Sequence, residues 1–290
     1  MMLRFRYAAA SHSGLVRSNN EDAGYAGAYL LLVADGVGGA AAGEVAAAST
    51  AYVTSTVSMI SDDDPLAVLA QAVEFSHLHV QDGVNADSRR EGMATTLTAV
   101  LGNGERFGLV HIGDSRAYRV HDGVCERLTK DHSLLQMMLD SGELTADQVD
   151  DFPYGSVISR SINQYEAPEP DLVLLDLVAG DRLLMASDGL TDLVPEEQIA
   201  AAITADDELD RIVDRLTRSA LQAGGRDNIT CVLGELVEGD QIHPRGEMLG
   251  AARDPRNLID GTAVRIDRIG NRRAARLQST PVGWQQPCAG

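Results

Sequence analysis

The sequence predicts an α+β sandwich of four layers, α-β-β-α, with two packed sheets between outer helices. Three observations lead there. Apolar β-like runs recur through the first 238 of 290 residues, and several are apolar without a break. An unbroken apolar run suits a strand covered on both faces, whereas a strand with one wet face alternates. Two pairs of helical stretches interrupt the series, one early and one late, which supplies an outer layer for each sheet.

The elements follow in order. LRFRYAAAS and YLLLVADG read as strands, then GEVAAASTAYVTSTVSMI and PLAVLAQAVEFSHLHVQ as helices. Asp62, Asp63, Asp64 and Pro65 form a helix start, with acids beside its positive end. TTLTAVLG, RFGLVHIGD, RAYRVHDG, DLVLLDL and RLLMASDG continue the strands. PEEQIAAAI and DDELDRIVDRLTRSALQAGG are the late helices, the second ended by glycines, and NITCVLGEL is the closing strand. The expected domain is 1–238. Residues 239–290 are expected to be a basic, flexible tail, since from Gly239 onward eight Arg face five Asp or Glu.

Composition narrows the function. Hydrophobic residues make up 44% and charged residues 23%, near globular averages. A formal charge of −19 argues against nucleic acid or an anionic membrane as partner. Cys125, Cys231 and Cys288 lie far apart without CxxC spacing, so neither a disulfide framework nor a zinc site is expected. No run reaches the ~18 apolar residues of a membrane span, and the N-terminal stretch is too poor in apolar residues for a signal peptide. The expectation is a cytoplasmic protein.

Four aspartates share one context, a strand end or a turn beside it: Asp35 in VADGVGG, Asp114 in HIGDSR, Asp188 in MASDGL and Asp227 in GGRDN. A lone Asp-Gly reads as a surface turn. A carboxylate after a buried strand, however, is unfavourable unless its charge is satisfied, and a bound cation satisfies it. Repetition at four strand ends, with RSNNED as a fifth acidic cluster, favours a metal site. An all-oxygen set without Cys or an HxxxH pair selects Mg²⁺ or Mn²⁺ over zinc.

Seven motifs then fall in order: Arg17 with Asn20-Glu21-Asp22, VADGVGG (33–39), GMATT (92–96), GDSR (113–116), DHS (131–133), SDGL (187–190) and GGRDN (224–228). Over roughly residues 5–237 the series resembles the PPM, or type 2C, family of metal-dependent Ser/Thr protein phosphatases. It is most similar to the bacterial branch that opposes eukaryotic-like Ser/Thr kinases. The resemblance implies mainly antiparallel sheets whose ends hold two divalent ions, Mn²⁺ or Mg²⁺, and room for a third, weaker one. It implies that Asp35 bridges the two, that the Gly36 carbonyl ligates one, and that Asp188 and Asp227 complete the other. Glu21 and Asp22 would act through bound waters, Asp114 would hold the third ion with Asp188, and Ser156 of the flap would join it. Arg17 would bind the phosphate with its planar fork. The implied reaction is hydrolysis of phosphoserine and phosphothreonine on proteins, Ser/Thr kinases among them, by a water shared between the two ions. A monomer is expected.

One departure stands out. Relatives often carry a His just after the first metal Asp, where this chain has Val37 and Ala40. The proton donor is therefore not evident, and His12 is the nearest alternative in sequence. A second reading follows from this, a catalytically weak or silent phosphoprotein-binding regulator of the same fold. His132 and His111 read as structural, and His77 and His79, two apart on a helix, point to different faces. Residues 140–160 correspond to the family's variable flap.

Overall fold

The computed structural model describes residues 2–37, 42–61, 63–243 and 245–259. Strand β1 (Met2–His12) is followed by β2 (Ala23–Gly27), β3 (Leu30–Ala34) and β4 (Gly36–Val37). The first helix pair, α1 (Gly43–Ile60) and α2 (Pro65–Ala86), leads to β5 (Ala94–Thr95), β6 (Leu97–Gly102), β7 (Phe107–Ile112), β8 (Arg116–His121) and β9 (Val124–Arg127). After α3 (Leu134–Ser141) come β10 (Asp171–Leu175), β11 (Arg182–Ala186), α4 (Asp188–Thr191), α5 (Glu196–Thr204), α6 (Leu209–Gln222), β12 (Ile229–Gly239) and β13 (Gly246–Gly250).

Two antiparallel sheets form the middle, a five-stranded one in order β1-β12-β11-β8-β9 and a six-stranded one in order β10-β7-β6-β3-β2-β13. Three apolar layers result. Phe5, Leu31, Val33, Leu109, Leu183 and Val232 fill the space between the sheets. Leu32 and Leu97 face α1 and α2 through Ala47, Ala51 and Leu69. Leu184 and Leu233 meet Ile199, Ile212 and Leu216 of α5 and α6. In β3 the run LLLVA is buried throughout, because its two faces enter different layers. The four-layer sandwich expected from the sequence is the observed architecture, and α1 spans the stretch read as the first helix. Asp64 caps α2 by accepting from the Leu66 N–H, with Pro65 in the first turn.

The boundary expected at 238 is corrected. The compact unit runs from Met1 to Ile259, because β13 pairs with β2 and two 3₁₀ turns follow it onto α1. GEMLG is short, bounded by glycines and one-sided, so it carries little strand signal. What calls for it is the otherwise open edge of β2. The late segment with Trp284, Cys288 and the arginines of 268–276 lies outside the described residues. Among the described residues no helix is long and apolar enough to cross a membrane.

Candidate metal centre

The strand ends bring the predicted aspartates to one edge of the sandwich. Asp35 follows β3, whose Ala34 lies opposite Ala23, so Asp22 at the start of β2 sits at the same edge. Val33 lies opposite Thr98 at the start of β6, and Leu97 opposite Ile112, which places Asp114 there as well. In the other sheet Ala186 lies opposite Cys231, so Asp188 after β11 and Asp227 before β12 leave from one end. His12 lies opposite Ile229, which starts the Arg17 loop at that end too.

Asp35 is fastened by its backbone. Its N–H donates to Thr96 Oγ1 at 2.9 Å, and its carbonyl accepts from the Thr96 N–H at 2.9 Å and Thr95 Oγ1 at 2.8 Å. The next residue must be glycine on grounds of space. A Cβ at Gly36 would lie 2.5 Å from the Gly43 carbonyl oxygen and 2.6 Å from that of Glu21. The bare backbone thus lets the start of α1 and the acidic loop close on the Asp35 turn.

The electrostatics are those of negative charges sharing one buried volume. Burial pushes Asp22 up to about 7, Asp114 to about 8 and Asp188 to about 6, and neighbouring carboxylates add to each. Asp35 is raised well above the usual carboxylate range, first by burial and then by Asp188, Asp22 and Asp114, and it shares a hydrogen bond with Asp188. Asp22 Oδ1 and Asp114 Oδ1 are buried without a hydrogen-bond partner. Among the described residues no three His, Cys, Asp or Glu side chains are grouped tightly enough to hold an ion by themselves. The mutual repulsion and the two orphan oxygens are the stronger indication, since both are relieved by a cation. The donor set fits hard divalent ions: carboxylates, a reachable backbone carbonyl and no thiolate.

Arg17 Nη2 donates to Asp227 Oδ2 at 2.7 Å, with the Arg17 side chain 47% exposed. An ion pair this wet is weak, so the guanidinium can turn to an incoming anion. Glu21 is half-buried, and burial raises it. Ser156 lies exposed in a turn of the flap, and among the described residues no hydrogen bond links it to the acidic group. His12 is exposed, its Nδ1 accepting from the Gly14 N–H at 2.9 Å. Val37 pairs with Ala94, and position 40 lies outside the described residues.

His111 and His132 stack with ring centroids 4.7 Å apart. His132 Nδ1 accepts from the Gly113 N–H at 3.2 Å, and the His132 backbone N–H donates to the Gly113 carbonyl at 2.7 Å. The His132 ring therefore supports the turn before Asp114, while the His111 ring beside it bonds Thr98 Oγ1 at 2.9 Å and the Lys130 carbonyl at 3.0 Å. His77 and His79 are both buried, His77 bonded to the Asn163 carbonyl at 2.7 Å.

Three supporting residues escaped the sequence reading. Ser187 Oγ donates to Asp22 Oδ2 at 2.7 Å and accepts from the Thr230 N–H at 2.9 Å. Asn228 accepts from the Glu21 N–H at 2.7 Å and donates to the carbonyls of Ser13 and Asn19 at 3.0 and 2.9 Å. Asp192, itself raised by burial, adds to the repulsion at Asp114 and Asp188. Its i,i+4 spacing from Asp188 is a usable signal; Ser187 and Asn228 stand inside the SDGL and GGRDN motifs, but nothing local names the partner each one holds.

Comparison with known proteins places the chain in a family. The sequence pattern of the family described as Protein phosphatase 2C matches residues 12–234. The chain is 41% identical over 278 residues to the serine/threonine protein phosphatase PstP of Mycobacterium tuberculosis, covering 93% of this chain and 53% of that protein. It thus spans about half the length of that relative. Protein phosphatase PhpP of Streptococcus pneumoniae is 32% identical over 238 residues, covering 78% of this chain and 96% of PhpP. Among solved structures, the catalytic domain of PstP in complex with two manganese ions matches with a TM-score of 0.75 at 42% identity, over 81% of this chain and all of that one. The pattern, the relatives and the shared fold agree with one another: the chain belongs to the protein phosphatase 2C family.

Proposed function

We propose that the protein is a Mn²⁺- or Mg²⁺-dependent phosphatase acting on phosphoserine and phosphothreonine in proteins, kinases of the opposing pathway among them. The observation that carries this reading is the convergence of Asp22, Asp35, Asp114 and Asp188 on one buried edge, where burial and neighbouring carboxylates raise the pKa of all four. Asp35, the Gly36 carbonyl, Asp188 and Asp227 would hold the two principal ions, with Glu21 and Asp22 behind them. Asp114 and Asp188 would hold a third, with Ser156 of the flap as the outermost member. The ions, when bound, would supply Lewis acidity and lower the pKa of an attacking water.

The chain's own residues do the rest. Arg17, which its exposed pair with Asp227 leaves free to turn, binds the phosphoryl oxygens and orients phosphorus for in-line attack. Thr95 and Thr96 fix the Asp35 turn against rotation. Ser187 holds the Asp22 carboxylate in place from the opposite sheet. The same reading makes the protein a monomer, and a cytoplasmic one, a reducing setting that the unpaired Cys125 and Cys231 fit.

Release of p-nitrophenol from its phosphate ester tests this, with Mn²⁺, with Mg²⁺ and with EDTA, on wild type and Asp188→Ala. Metal-dependent turnover that the variant loses is the expected result. Metal binding without turnover, on a phosphothreonine peptide as well, would instead favour the silent regulator suggested by Val37.

A further inference from the structure

We propose that residues 246–259 form a positioning strap for the metal centre, and that seating of Ile259 between α1 and α2 sets the affinity of that centre for its ions. The inference rests on the reading of the acidic edge as a metal site. The strap lies beyond the residues matched by the family pattern, which end at 234.

The strap touches the centre at one point. After β13 the chain turns at Gly250, whose φ of +57° is unfavourable for a side chain. A Cβ there would collide with the Asp22 carbonyl oxygen and lie 2.8 Å from Ser11 Oγ. This close approach lets the Ala251 N–H donate to the Asp22 carbonyl at 2.7 Å. Asp22 is thereby held at both ends, its carboxylate by Ser187 and its backbone by the strap.

The far end is a plug. Ile259 is 5% exposed and belongs to the core shared by α1, α2 and the six-stranded sheet. Its N–H donates to Ser49 Oγ of α1 at 3.1 Å. Its side chain occupies a hole floored by Gly83 of α2, where an added Cβ would meet Ile259 Cδ1 at 2.5 Å and Cγ1 at 2.9 Å. The backbone of Ile259 also faces the buried His79 ring. The start of α1 in turn packs on the site, since a Cβ on Gly43 would run into Glu21 Oε2 and lie 3.0 Å from the Gly36 carbonyl carbon. Ile259, α1, Gly36 and Asp22 therefore form one mechanically continuous frame. Loosening the plug loosens the backbone of two candidate ligand positions without touching a ligand.

The test uses the full chain with Ile259→Ala, Gly83→Ala and the double variant, and Leu216→Ala in the opposite helix layer as a control for general destabilisation. Mn²⁺ binding is read by calorimetry, phosphate-ester turnover against Mn²⁺ gives the half-saturating metal concentration, and hydrogen exchange reads the Ala251 amide. Ile259→Ala should weaken Mn²⁺ about tenfold, the size of effect typical of residues that orient metal ligands. Turnover at saturating Mn²⁺ should stay within about twofold, because no ligand is lost. The Ala251 amide should exchange faster, with or without metal. The double variant should be no worse than Ile259→Ala, since the methyl at 83 then fills vacated space; this holds the proposal to account even if Gly83→Ala alone fails to fold. Unchanged Mn²⁺ affinity, an unchanged Ala251 amide, or an equal metal defect in Leu216→Ala would each overturn the strap. Failure of wild type to bind Mn²⁺ would instead overturn the metal reading itself, and with it the claim on affinity.

Discussion

Asn228→Ala removes the side chain that holds the Arg17–Glu21 loop against the sheet edge. Asn228 is 4% exposed and makes three side-chain bonds, accepting from the Glu21 N–H and donating to the Ser13 and Asn19 carbonyls. A typical net bond contributes about 1 kcal/mol, and an orphaned buried partner loses somewhat more. The loop is near solvent, so water recovers part of the loss, and a destabilisation of about 2–3 kcal/mol is expected. Urea unfolding followed by circular dichroism measures it, with an unchanged slope showing that the unfolded state is the same. The freed loop carries Arg17 and Glu21, so Mn²⁺-dependent kcat/KM on p-nitrophenyl phosphate should fall at least about tenfold under conditions where the variant is folded. Asn228→Asp keeps the acceptor and the shape but loses both donors, and its new charge sits beside Asp227. It should be at least as impaired. A loss under about 1 kcal/mol in the alanine variant, or wild-type kinetics in the aspartate variant, would refute the assignment of Asn228 as the pin of this loop.

Ser187→Ala unclamps Asp22 and orphans the Thr230 N–H, so a loss of about 1–3 kcal/mol is expected in the same unfolding assay. Saturating 100-fold above its dissociation constant, Mn²⁺ should add about 2.7 kcal/mol of stability over EDTA, read as a rise in melting temperature; no rise in wild type would contradict a folded-state metal site. A pH effect is expected far from the centre, at Asp181. Burial alone would raise this carboxyl, yet His121, the Val178 N–H and Arg119 hold it below the usual range. A depressed acid contributes stability above its unfolded value of ~3.9 and loses it as pH falls through the folded value. Acid unfolding of Asp181→Asn should therefore be flatter below pH ~4 than that of wild type. His121, raised by its bond to Asp181, works in the opposite sense. Its contribution is full below ~6.5 and is lost as pH rises through the folded value, so His121→Gln should flatten the alkaline side of the same curve.

The layers, the helix pairs and the strand ends that carry Asp35, Asp114, Asp188 and Asp227 were legible in the sequence. These are local properties. An unbroken run such as LLLVA must be covered on both faces, and an aspartate that ends it needs a charge partner wherever the strand lies. The residues that hold those aspartates still emerge only once the chain is folded. Ser187 meets Asp22 across 165 positions and Asn228 meets Glu21 across 207, separations that leave no periodicity to read. The same holds for β2 and β13. AGYAG and GEMLG are poor in β-branched residues, and they are strands because one lies buried between β3 and β13 and the other covers its edge. The boundary placed at 238 rested on composition, which changes there; the compact unit runs on to Ile259, whose side chain fills the hole that Gly83 leaves. Such a fit is a property of two surfaces meeting, and no single stretch of sequence contains it.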